Sequence, residues 1–224
     1  YIFDPSCCPI DSLRSRRFNP GAGDHYMSGL LYTPSSSGSG MATAKTGSFY
    51  LTETIVLPPA SADGSRVQGT IDLGAYVNVA TGQAIAIDSV DFVHQNGDNF
   101  DGNVEGMLAA NGALSMQLTD LNPGTAFVRA DNQSLIASSS LNIDVANNIG
   151  SHASDIFPDN YGSAGTLSEM FMVVNDTLYL VGGPDGAATS AATVNLTARI
   201  RARVVKLGSK DWMALALQST ASDN

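Results

Sequence analysis

Acid–base, nucleophilic and metal chemistry falls mostly to histidine, serine, cysteine and the carboxylates, and in this chain their spacing forms no recognised catalytic pattern. The three histidines, His25, His94 and His152, are far apart in sequence. None belongs to an HExxH pair, so spacing offers no metal pair and each reads as a surface or loop histidine. No GxSxG stretch marks a serine nucleophile, and a Ser/His/Asp triad is not assembled from spacing alone. The glycine-rich pieces "GSGMATAKTG" and "GGPDGAAT" lack both the Lys-Ser/Thr ending of a phosphate loop and the dinucleotide spacing. The expectation is a protein that is not an enzyme, with no cofactor and no small-molecule substrate.

One group has metal character. Asp98, Asp101 and Glu105 lie in or just after the loop "NGDNFDGN", and their oxygens are of the kind that a calcium ion collects. The spacing departs from the EF-hand loop, and a solvated turn is the competing reading. Cys7 and Cys8 are adjacent and are the only cysteines. Neighbours in sequence rarely bridge one another, and two thiols do not make a four-thiolate zinc site, which leaves an intermolecular bridge open.

The charge is unevenly placed. The chain carries 11 basic and 21 acidic side chains, for a net charge of -10. Between residues 18 and 198 the only basic residues are Lys45, Arg66 and Arg129, whereas Arg14, Arg16 and Arg17 sit near the start and Arg199, Arg201 and Arg203 near the end. Two readings compete for these arginines. They pair with carboxylates across a sheet, or Arg14, Arg16, Arg17, Arg199, Arg201 and Arg203 make one positive surface facing nucleic acid or the inner face of a particle.

The elements that must position these groups read as strands. In "VNLTARIRARVVKL" (194–207), Val194, Leu196, Ala198, Ile200, Ala202 and Val204 alternate with Asn195, Thr197 and the three arginines, the period of a strand with one buried face. Its β-branched residues disfavour a helix. After Val204 the alternation slips by one, which predicts a bulge there. Ser209 is the expected N-cap of a short helix through "KDWMALALQ", whose Trp212 and "MALAL" stripe either cap the core or dock on a partner.

Further strands are expected in "FYLTETIVL", in "VQGTIDLGAYVNV" hairpinned through residues 80–82 to "QAIAIDSVDFVH", and in "ALSMQLTD" turning at "NPG" into "TAFVRA". "SLIASSSLNIDV" and two strands around Asn175 and Asp176 complete the set, and residues 147–168 read as a long irregular excursion. The fold class expected is all-β: an antiparallel β-sandwich or jelly roll of about eight to ten strands, with an extended N-terminal arm and a short C-terminal helix. Residues 1–47 form the arm and a Ser/Gly-rich tether, and residues 48–224 a single β domain.

This layout, an arm with "RSRR", a Ser/Gly tether and one β-rich body, resembles that of jelly-roll virus capsid proteins across the whole chain. The resemblance implies a shell tile in a virion, with an arm that threads between subunits or touches the packaged genome, and with copies of itself and other capsid proteins as partners. The departure is the arm's charge: three arginines are few for genome binding, so arm exchange or contact with an internal membrane is the more natural implication. The physical reading runs the same way, because loose ends that order on assembly offset their entropy loss over a repeated contact. The alternative is an extracellular carbohydrate-binding or adhesive β-sandwich. An enzyme on the same scaffold is the third reading, and would require histidines and carboxylates converging in one pocket.

Overall fold

The structure is a computed structural model that describes residues 42–98, 103–155 and 170–221. It is an all-β body of two antiparallel sheets with a short C-terminal helix. Sheet A holds β1 (Thr43–Ala44), β2 (Phe49–Leu57), β4 (Gln83–Asn96), β8 (Phe171–Val173) and β10 (Val194–Lys206). Sheet B holds β3 (Val67–Asp72), β5 (Gly112–Thr119), β6 (Leu135–Asp144), β7 (Ile149–Asp155) and β9 (Thr177–Asp185), and helix α1 spans Ser209–Ala221. In sheet A, β10 lies between β2 and β4, with β8 beyond β4; in sheet B the order runs β3, β9, β5, β6, β7.

The period-two pattern explains why the layers stick. Leu196, Ala198, Ile200 and Ala202 of β10 are fully buried, as are Leu114, Met116 and Leu118 of β5 and Leu178 and Leu180 of β9, and all but the side chains facing outward join one core between the sheets. Each such leucine contributes roughly 1.5–3 kcal/mol by leaving water. In β9, a Cβ at Gly182 would lie 2.8 Å from the Ile55 Cδ1 and 2.9 Å from the Leu196 Cδ1 of sheet A, so a larger residue there would displace the side-chain ends packed between the layers.

Several expectations from the sequence are corrected. The run 67–79 is not one strand hairpinned to β4, because β3 ends at Asp72 and pairs with β9, while β4 belongs to the other sheet. The break is local: the Asp72 carboxylate accepts from the Gly74 amide at 2.7 Å, and the amides of Tyr76 and Val77 turn back onto the Leu73 carbonyl. The chain therefore arches from sheet B to sheet A. "TAFVRA" forms no strand; residues 121–134 are a loop. The excursion expected at 147–168 begins instead with β7, which pairs with β6 from Asp144↔Ile149 to Ser138↔Asp155.

The slip after Val204 is also not a bulge in β10. Val204 packs in the main core, and Val205 and Leu207 pack in a second cluster with Ala84, Ala86 and Val174, against which Trp212, Leu215 and Ala216 of α1 rest. Both faces of this end of β10 are apolar because the helix covers the outer one. The amide of Trp212 bonds the Gly208 carbonyl at 2.9 Å, so the first helical bond starts from Gly208 and the cap falls one residue before Ser209. The last part of the segment read as tether is also laid on the sheet: β1 pairs with Val205 and Lys206, and the Thr46 hydroxyl accepts from the Val204 amide at 3.0 Å.

Candidate functional site

The arginine comb follows the regular alternation of β10, and the bulge expected after Val204 lies instead in the neighbouring strand β4. Opposite the consecutive residues Arg201 and Ala202 of β10 stand Ser89 and Ile87 of β4, leaving Asp88 as the extra residue. An inserted residue re-aims its neighbours, and here it puts Asp88 on the outer face, among the arginines. Its Oδ2 accepts from Arg203 Nη2 at 2.9 Å and from the Ser48 hydroxyl at 2.9 Å, and lies 3.6 Å from Arg201 Nε. The Asp88 side chain is 3% exposed and those of Arg203 and Arg201 are 21% and 37% exposed. Two guanidiniums thus flank one shielded carboxylate, an arrangement that holds a net positive charge on the outer face of sheet A.

Arg199 stands apart from this cluster. It is exposed, its register partner on β4 is Asp91, and its guanidinium lies 5.4 Å from the ring centre of Tyr50, within cation–π range. Tyr50, Thr52, Thr54 and Val56 of β2 are all exposed beside it, with the Thr54 and Thr197 hydroxyls 2.8 Å apart. Arg14, Arg16 and Arg17 lie outside the described residues, as do Cys7, Cys8 and His25, so no common surface with the comb is described.

The outer face of sheet B is covered instead. The loop 120–134 folds across it: the Gln117 amide donates to the Val128 carbonyl at 3.0 Å and accepts from the Val128 amide at 2.8 Å, and Gln68 donates to Asn122 and to the Gly124 carbonyl. Arg66 pairs with Asp185 and stacks 4.4 Å over the Phe127 ring. Beside the loop a groove of about 220 Å³ is lined by Ser115, Gln117, Phe127, Ser138, Ser140 and Ala153 among others. At the loop's root Asp120 is buried, and burial pushes its carboxyl up to about 6.

Of the calcium candidates, Asp98 lies in the turn after β4, Glu105 in a short 3-10 turn (Val104–Met107), and Asp101 outside the described residues. With its nitrogen turned toward the carboxylate, the Asn103 amide meets both Glu105 oxygens at 2.7 and 2.8 Å. No group of three or more histidine, cysteine or acidic residues gathers at one point among the described residues. Nor, among them, is any helix long and apolar enough to cross a membrane.

What spacing missed is a histidine pair. His94 of β4 and His152 of β7, on different sheets, have ring centres 5.5 Å apart. Burial, with the neighbouring His152 second, lowers His94 to about 4, against which its hydrogen bond to the Leu114 carbonyl acts in the raising direction. The only sequence signal was the inward parity of His94, opposite Leu196 on β10. No known protein family and no curated protein matches this chain.

Proposed function

We propose that this chain is a jelly-roll subunit of a shell built from copies of itself, a viral capsid (coat) protein residing in the virion. The observation that carries the reading is the pairing order. β2 pairs with β10, β3 with β9, β4 with β8 and β5 with β6, which is the ladder of one eight-stranded ribbon folded at β5–β6. The contacts β10 to β4 and β9 to β5 are those that rolling such a ribbon into two Greek keys would add, which supports a jelly roll of the kind used by capsid subunits and by lectins. Outside the ribbon lie β1 and β7.

The surfaces suit repeated contact. Sheet A presents exposed Tyr50, Val56 and Arg199 on its outer face, and α1 presents Met213 and Leu217, 64% and 69% exposed, one turn apart. Copies of the chain are the first partner in this reading, with the segment before β1 as the exchanged arm and contact with other capsid proteins, nucleic acid or an internal membrane secondary. Electron microscopy and size-exclusion chromatography of native material test it: regular large particles are expected, and a strict monomer at high concentration would overturn it. Retention on DNA or RNA that falls steeply with salt would assign the arginines to the genome side.

A second reading rests on the groove of sheet B. Its Ser115, Ser138 and Ser140 hydroxyls beside Phe127 are uncharged and polar, the lining that a sugar needs, and an extracellular carbohydrate-binding module would use them. Glycan binding by the isolated monomer, lost in Ser138→Ala with Ser140→Ala, would favour that reading over the shell.

A further inference from the structure

We propose that His94 and His152 form a site for a divalent transition-metal ion of the zinc, copper or nickel class, clamping sheet A to sheet B at one end of the sandwich. His94 is built like a ligand. Its ring bonds the backbone carbonyl of Leu114, while Nε2 is buried with no hydrogen-bond partner among the described residues. A carbonyl that takes one ring N–H leaves a lone pair on the other nitrogen, which is how metal-binding imidazoles are usually held. An orphaned buried lone pair is costly unless something occupies it.

His152 supplies the second imidazole. Its Nε2 lies 2.9 Å from the Ser139 hydroxyl; with Ser139 accepting that proton, Nδ1 becomes the donor to metal. Two imidazoles on one tetrahedral ion, with metal–nitrogen bonds of about 2.0–2.1 Å, place their ring centres roughly 5 Å apart. The observed 5.5 Å is close to that spacing. His152 is exposed, so the ion has an entry path, and water completes its coordination. The 3-10 turn at Val104–Met107 packs against β4, β6 and β7 and supports both strands. This site is separate from the calcium candidates at Asp98, Asp101 and Glu105, and uses nitrogen where they offer oxygen.

The test uses the full chain carrying Cys7→Ser, Cys8→Ser and His25→Gln, which removes the other soft donors. Zinc at about 100 times its dissociation constant should raise the melting temperature by roughly 5 °C or more, and magnesium should not. Adding His152→Gln, at an exposed position that folding tolerates, should abolish the shift, as should His94→Gln. Cobalt substituted for zinc should show visible absorption with nitrogen coordination that either variant removes. No zinc shift in the parent, or an equal shift in the His152→Gln variant, would overturn the proposal.

Discussion

The outer faces of the two sheets solve one problem in opposite ways. Both follow the same alternation, with polar residues pointing away from the core, but the charged groups of sheet A pair mainly with a neighbouring strand, whereas sheet B meets its polar groups with a loop. On sheet A, Arg201 and Arg203 share the one Asp88 carboxylate across β4 and β10, leaving a net positive charge, and among the described residues Tyr50, Thr52, Thr54, Val56 and Arg199 of the same face are exposed. On sheet B, Gln117 and Gln68 are held by backbone and side-chain groups of the loop 120–134. The lesson is that an outward polar side chain does not by itself mean an open face; what matters is whether its partner is a neighbouring strand or a returning loop.

Mutations should separate the two solutions. Asp88→Ala should have the largest effect, about 3 kcal/mol in chemical unfolding, at the lower end of the cost of breaking a buried pair because the arginines keep some water contact. If it costs under about 1 kcal/mol, sheet A's face is not organised by that carboxylate. On sheet B, Gly183→Ala places a Cβ 2.0 Å from the Ser65 carbonyl oxygen. Backbone must shift, and a loss of about 2 kcal/mol is expected in the same measurement.

The loop's root supplies a pH signature. Burial pushes the folded Asp120 carboxyl above the ordinary carboxylate range, up to about 6. The native state therefore holds the proton more tightly, so this residue's contribution falls as pH rises from about 4 to 6 and is flat above. Asp120→Asn should remove that decline, so its melting temperature should exceed the parent's at pH 7 and converge with it near pH 4. The opposite crossing would show that Asp120 is stabilised as the anion. Gln117→Ala should cost about 1–2 kcal/mol by freeing the Val128 amide and carbonyl, and should raise hydrogen exchange at Val128 without altering β10. The smallest effect belongs to Arg199→Ala, under about 0.5 kcal/mol in the isolated chain; under the shell reading its effect appears in assembly yield.

Much of the core was legible because a buried strand face must repeat every second residue. Leu114, Met116 and Leu118, and Val194 to Val204, needed no tertiary information. The arch after Asp72 was not legible, because "GTIDLGAYVNV" keeps the alternation through a turn made by one carboxylate and one carbonyl. The helix over Val205 and Leu207 was misread as a bulge, since either cause puts apolar residues on both sides of a strand.

The amino-acid order alone determined that this chain makes strands, which faces are apolar, and that a short helix ends it, because side-chain periodicity and propensity act over a few residues. Only the tertiary structure decided which strands share a sheet, that Asp88 would be lifted among the arginines, and that His94 and His152 would meet. The histidine contact joins residues 58 positions apart and the Asp88–Arg203 contact residues 115 apart, and both depend on how the sheets pair, which no local pattern encodes.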